Sequence, residues 1–286
     1  MSDRPMGLVE MPFDDYLDIK AASKTILWEM RKSCPLKAKA KLDGTHVDTD
    51  ALRQGRIIHM CVLEHARFRD TYVRGPDGPL NKNPGRAAWK AHKERYGDDA
   101  IKGSEWDMAE AIRTAVGGMP KVAKLLDGQA ERSMFWEDPE TGVYCKGRPD
   151  LISEEVSVLL DLKSAKDASP SGFARACADL GYHVQAAHYL MGAQEVQIPR
   201  KWFVFLAVEK VEPFAGGIYT LDADAMEAGQ KELDLLLRQW KWCQENDEWP
   251  GYGARWDGQK YLPATEEKLS LPGWAINESK ARTGDE

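Results

Sequence analysis

The chain has 286 residues, 43% of them hydrophobic and 30% charged, ample material for a large core without disulfides or a structural metal. Taken alone, a net charge of −7 argues against a nucleic-acid partner, because phosphate binding is driven by Lys and Arg, yet cations lining one channel would suffice. Mean hydropathy is −0.53, and no apolar run approaches the roughly 18 residues of a membrane span. Met1-Ser2-Asp3-Arg4-Pro5 lacks the apolar centre of a signal peptide, so a cytoplasmic protein without membrane association is expected.

Apolar periodicity predicts helix over residues 14–42, which include a basic stretch at Arg31, Lys32, Lys37, Lys39 and Lys41, and again over 48–73. Gly, Pro and Asn predict a loop over 75–85, and 86–127 returns to a helical pattern interrupted at Gly117-Gly118 and Pro120. The pattern then changes. Residues 130–137, 143–153 and 156–163 read as three successive strands, separated by the turn formers Asp138-Pro139-Glu140-Thr141-Gly142 and Ser153-Glu154-Glu155. Ser169-Pro170 offers an N-cap and a first-turn proline for a helix over 170–192. Trp202–Val208 reads as a buried strand, 217–221 as a candidate strand and 223–246 as an amphipathic helix, followed by a polar, loosely ordered tail. The expected fold is α/β: a mixed central sheet led by an antiparallel meander and flanked by helices. It divides into a helical section over 1–128, a core over 129–248 and a tail over 249–286.

Two acidic strand ends stand out. Asp150 closes Gly147-Arg148-Pro149-Asp150, and Asp161-Leu162-Lys163 closes the next strand. Residues i and i+2 of a strand share a face, so Asp161 and Lys163 project together. In a hairpin the two strands lie about 5 Å apart, and Asp150 and Asp161 could then share Mg²⁺ or Mn²⁺, hard ions that prefer oxygen ligands. Such an ion suits phosphodiester hydrolysis, with Lys163 orienting the attacking water and offsetting transition-state charge. Arg56 and Arg148 are candidate phosphate contacts, because a guanidinium fork matches phosphate oxygens. Five scattered cysteines (Cys34, Cys61, Cys145, Cys177, Cys243) with no CxxC pair read as reduced, buried thiols, and no iron–sulfur cluster is expected.

Pro-Asp, a strand turn and then Asp-x-Lys resemble the PD-(D/E)XK nuclease superfamily. Gln185-Ala186-Ala187-His188-Tyr189 and Gly55-Arg56-Ile57-Ile58-His59 look like the Q-x-x-x-Y and G-x-x-x-H motifs of its RecB-like branch. Ala22-Ser23-Lys24-Thr25-Ile26-Leu27, followed by Ser33-Cys34-Pro35, is similar to the exonuclease VIII (RecE) type of nuclease domain. The resemblance covers roughly residues 15–245. It implies that Asp150, Asp161, Lys163, Gln185 and Tyr189 serve catalysis, and that Asp150, Asp161, the Leu162 backbone carbonyl, His59 and Glu131 hold the metal. Without the resemblance, His59 reads as a core histidine. Ser23 and Lys24 stand where relatives often show Ser-x-Ser and become candidate DNA contacts. The implied activity is a Mg²⁺-dependent exodeoxyribonuclease on double-stranded DNA ends, 5′ to 3′, forming a homo-oligomeric ring and working with a single-strand annealing protein in recombination. A structure-specific or restriction-like endonuclease, or a catalytically idle DNA-binding assembly protein of the same fold, are the alternatives.

Overall fold

The computed structural model describes residues 4–44, 49–77 and 83–283. Strand β1 (Gly7–Val9) precedes helices α1 (Phe13–Asp18), α2 (Lys24–Lys32) and α3 (Pro35–Asp43). Where the periodicity predicts one helix, the chain makes three. Ala22 leaves the helix to bond the β-region, donating to the Tyr144 carbonyl at 2.9 Å and accepting from Lys146 N at 3.0 Å. Cys34 is extended (φ −164°), as a residue before proline must be.

Thr49 caps α4 (Asp50–Leu63), its hydroxyl accepting from Leu52 N. Glu64 then leaves helical geometry, so α5 (His65–Thr71) is separate. Next come β2 (Val73–Arg74), α6 (Asn83–Tyr96), a 3₁₀ turn at Gly97–Asp99, and β3 (Ala100–Ile101), which pairs with β2 in parallel. Helices α7 (Gly103–Gly117) and α8 (Val122–Leu125) complete this region. Of the loop expected over 75–85, residues 78–82 lie outside the described residues, and 83–85 already belong to α6.

The remaining strands are β4 (Gly128–Ala130), β5 (Ser133–Glu137), β6 (Tyr144–Gly147), β7 (Leu151–Ser153) and β8 (Val158–Ala165). Helices α9 (Pro170–Leu180) and α10 (Tyr182–Glu195) lead to β9 (Trp202–Glu209), β10 (Gly216–Tyr219) and α11 (Ala223–Asn246). One five-stranded sheet has the order β10-β9-β8-β7-β4, with only β8 and β9 parallel, and a three-stranded antiparallel sheet has the order β1-β5-β6. The fold is thus the expected α/β arrangement around a mixed sheet, but the meander is divided between two sheets. Its first two strands break level with each other, at Glu131-Arg132 and at Arg148-Pro149-Asp150. Glu131 takes positive φ (53°), and its N–H donates to the Asp150 carbonyl at 3.0 Å. Pro149 has no N–H to continue a ladder, so the ribbon turns from one sheet into the other there.

The helix predicted over 170–192 is also two. Gly181 adopts the left-handed region (φ 67°), and a Cβ at that position would run into the Trp28 indole, so only glycine closes α9 and opens α10. Apolar side chains fill both faces of the main sheet. Leu159, Phe205, Leu237 and Trp240 pack on the α10–α11 side, and Leu160, Leu162, Leu206, Ile58 and Ile112 on the α4–α7 side. Where the sequence shows only a polar tail, β11 (Arg255–Trp256) and β12 (Tyr261–Leu262) form a hairpin, and α12 (Gly273–Thr283) follows. The hairpin is tied to α11 by edge contacts among Trp242, Trp256 and Tyr261, which hydropathy averages conceal. Among the described residues, no helix is long and apolar enough to cross a membrane.

Candidate metal centre and active site

The break that divides the meander also makes the site. Register pairs Leu151 with Leu160, so Asp150 and Asp161 are the next residues beyond the β7–β8 ladder. There Leu162 N donates to Asp150 Oδ2 at 2.6 Å. A strand residue's N–H and C=O point to the same edge, so the Leu162 carbonyl also faces the Asp150 side. His59, on α4, brings Nδ1 to 3.4 Å from Asp150 Oδ2. His59, Glu131 and Asp150 present ligand atoms all within 4.8 Å of one another.

Asp161 is fixed from two directions. Gln185 Nε2 on α10 donates to its Oδ1, while the Lys163 ammonium lies 2.5 Å from Oδ2. Tyr189, one turn after Gln185, lays its ring on Gly147 at the start of the break. The Q-x-x-x-Y spacing therefore puts one residue on Asp161 and the other beneath the turn carrying Asp150.

Opposed charges set the electrostatics. Burial would discharge His59, but Asp150 first, and then Asp161 and Glu131, push it up to about 9. Burial likewise opposes ionisation of Asp150, yet His59, Lys163 and the Leu162 N–H hold it below the usual carboxylate range. Asp161 is raised by burial, and the nearby Asp150 adds to the rise against the pull of Lys163. Glu131 is raised by burial and by Asp150. Burial opposes the charge on Lys163, but Asp161, Tyr182 and Asp150 together raise it above its ordinary value. Two carboxyls kept from ionising easily, Asp161 and Glu131, mark a site short of positive charge. With oxygen donors and one imidazole, the residues fit a divalent ion.

The structure thus brings His59, Glu131 and Asp150 together as one donor trio, while Asp161, opposite Asp150 in the register but outside that trio, is held by Gln185 and Lys163, with Tyr189 beneath the turn. Arg148 corrects the sequence reading. Its Nε bonds Glu131 Oε2 (2.9 Å) and its Nη1 bonds Ser133 Oγ (2.6 Å) and the Met11 carbonyl (3.1 Å), so these donors point inward and position Glu131. Arg56 stands one turn before His59, near enough to Tyr72 for its charge to oppose the burial-driven rise of that phenol. Ser23 precedes α2 without capping it. Lys24 donates to the Leu180 carbonyl at 2.6 Å. Burial first, then the charge of Lys163, lowers Lys24 to about 7.

Sequence reasoning passed over Tyr182. Lys163 and Lys24 both stand over its ring, at 4.6 and 5.2 Å from the centroid, making a cation–π platform beside Asp161. Its spacing of three residues from Gln185 was the available signal. His188 is structural, packed on Trp136 at 4.7 Å and bonded to the Lys146 carbonyl. All five cysteines are buried and unpaired.

Comparison with solved structures finds a protein from Eubacterium rectale, provisionally described as an exonuclease, at a TM-score of 0.59 and 14% identity, covering 95% of this chain and 98% of that one. At that identity the likeness is one of fold. No curated protein matches. The sequence profile of a family described as PDDEXK-like domain of unknown function (DUF3799) matches residues 23–258, a span that contains every residue of the cluster. The chain belongs to that family, and with it to the PD-(D/E)XK nuclease superfamily.

Proposed function

We propose that the chain is a metal-dependent exodeoxyribonuclease that hydrolyses phosphodiester bonds at double-stranded DNA ends, 5′ to 3′, leaving single-stranded tails for recombination. The observation that carries the nuclease reading is the meeting of Asp150 and Asp161 at the end of the β7–β8 hairpin, with Lys163 on the same strand and His59 opposite. Support for end-directed cutting comes from the motif order that resembles exonuclease VIII and from the description of the Eubacterium rectale protein.

Asp150, Asp161, the Leu162 carbonyl, His59 and Glu131 would hold Mg²⁺, with Mn²⁺ able to substitute; bound there, the ion neutralises phosphate charge and makes water more acidic. The chain's own groups do the rest. Lys163, kept cationic by Asp161, donates to the attacking water or a phosphate oxygen and acts as a charge rather than as a base. Gln185 holds one oxygen of Asp161 while Lys163 pairs with the other, so both groups fix the carboxylate in place. Arg148 keeps Glu131 turned toward Asp150. Ser23, Lys24 and Arg56 would take flanking phosphates, with Lys24 and Tyr182 offering charge and a stacking face beside Lys163. We extend the reading to a ring-forming homo-oligomer that gathers cations in its channel, with a single-strand annealing protein as partner. The test compares 5′- and 3′-labelled linear duplex with closed circular DNA, with and without Mg²⁺. Mg²⁺-dependent release from the 5′ end of linear DNA alone is expected, whereas efficient cutting of the closed circle would overturn end-directed action in favour of an endonuclease.

A further inference from the structure

Helix α6 carries Arg86, Lys90, Lys93 and Arg95 against a single carboxylate, Glu94. That is +3 in 14 residues of a chain whose total is −7, so all other residues together carry −10. Arg86, Lys90 and Lys93 recur at i, i+4 and i+7, one stripe along the helix. The stripe runs about 10 Å, the axial length of about three phosphates on one strand of a duplex.

The helix is fastened by an adjoining flank, about a quarter turn round from the stripe. Trp89 lies against Gly75, where a Cβ would press on the indole at 2.9 Å, and His92 bonds the Val73 carbonyl at 3.2 Å. His92 and Tyr96 continue this aromatic ridge, with ring centroids 4.8 Å apart. No residue of α6 is fully buried, so the helix is an outermost layer held in a fixed orientation. Its cations are weakly engaged. Lys93 pairs with the fully exposed Asp98 at 3.0 Å and Lys90 with Glu94 at 3.8 Å, contacts that a phosphate displaces at little cost. Arg86 makes no ion pair among the described residues.

The helix is also coupled to the candidate active site. Gly75 N bonds the Ile101 carbonyl on β3, and Arg53 on α4 bonds the Ala100 carbonyl of the same strand at 3.0 Å. Arg53 precedes His59 by six residues, about 9 Å along α4. A duplex whose end enters an acidic site that repels phosphate needs a positive hold farther out.

We propose that the Arg86–Lys90–Lys93 stripe of α6 is a rail for the phosphate backbone of double-stranded DNA, holding the duplex flank away from the reacting end. The proposal rests on the nuclease reading for its role in turnover. The test uses the full chain carrying Arg86→Glu, Lys90→Glu and Lys93→Glu together, with Lys231→Glu, Arg238→Glu and Lys241→Glu on α11 as a control that reverses the same number of cations. Two probes are compared across a salt series: a duplex of about 40 base pairs and thymidine 5′-p-nitrophenyl phosphate, a diester too small to reach α6. In the α6 variant, duplex binding by fluorescence anisotropy is expected to fall about tenfold or more, with the slope of log affinity against log salt shallower by about 2 to 3. Hydrolysis of the small diester stays within about twofold. An α6 variant with the wild-type affinity and slope overturns the rail, and so does an equal loss in the α11 variant, which would reduce the effect to net charge. A wild-type chain that hydrolyses neither probe, while the α6 variant alone loses duplex binding, overturns the nuclease reading and supports the rail.

Discussion

Helix α4 serves two clusters that look alike as donor sets. His59 joins Glu131 and Asp150, while Cys61, on the opposite side of the same helix, joins His65 and Glu110, each trio bringing its ligand atoms within 4.8 Å. Charge separates them. Glu110 already has three partners, the His65 ring at 3.0 Å, Arg113 at 2.9 Å and Arg69 at 3.2 Å, and against the effect of burial the contacts from His65 and Arg113 hold its carboxyl below the usual range. Burial pushes the Cys61 thiol up to about 12, so it stays protonated and is a poor ligand. Around Asp150 the balance runs the other way, with Glu131 and Asp161 both raised. The two trios share donor geometry and differ in charge, and the shortage of positive charge around Asp150 is what favours a cation there.

The largest effect expected from breaking this contrast is on turnover. Asp161→Asn or Lys163→Ala should lower kcat by about a thousandfold or more, about 4 kcal/mol, while DNA binding by anisotropy is retained. Unchanged cleavage by either variant would remove the cluster from the chemistry.

Next in size is Arg148→Met. Taking the guanidinium from Glu131 leaves a largely buried carboxyl unpaired, so stability should fall by about 2 kcal/mol and metal affinity by about ten- to a hundredfold. Urea melts and a Mn²⁺ titration read the two separately. Loss of phosphate binding with both of these unchanged would instead restore Arg148 as a DNA contact.

Glu110→Gln sharpens the comparison from the other side. It should cost about 1 to 2 kcal/mol of stability, visible as a lowered Tm, without altering metal affinity or turnover.

The smallest effect is a pH slope. His59 rises from 6.5 to about 9 on folding, so its contribution to stability is complete below about 6.5 and is lost as pH rises through about 9. His59→Asn should flatten the stability profile over that window in urea melts without Mg²⁺. A variant profile identical to the wild type would mean that His59 does not titrate against Asp150.

Much of this site was legible in the sequence because its parts are local or periodic. Asp-x-Lys fixes a shared strand face, a short turn fixes the hairpin, and Gln185 and Tyr189 lie one turn apart on a helix. What escaped depends on distant chain. The division of the meander at Glu131 and Pro149 requires β1 to pair with β5 and Ala22 to bridge β6. The inward fate of Arg148 depends on Ser133 and the Met11 carbonyl, and the break at Gly181 exists to admit Trp28 from α2. None of these partners lies within a window that hydropathy can scan.

The most direct test of the central claim is a Mn²⁺ titration followed by electron paramagnetic resonance on wild type, Asp161→Asn and Glu110→Gln. The account predicts saturable binding in wild type and Glu110→Gln and its loss in Asp161→Asn. Binding retained in Asp161→Asn and lost in Glu110→Gln would place the metal in the other cluster and contradict it.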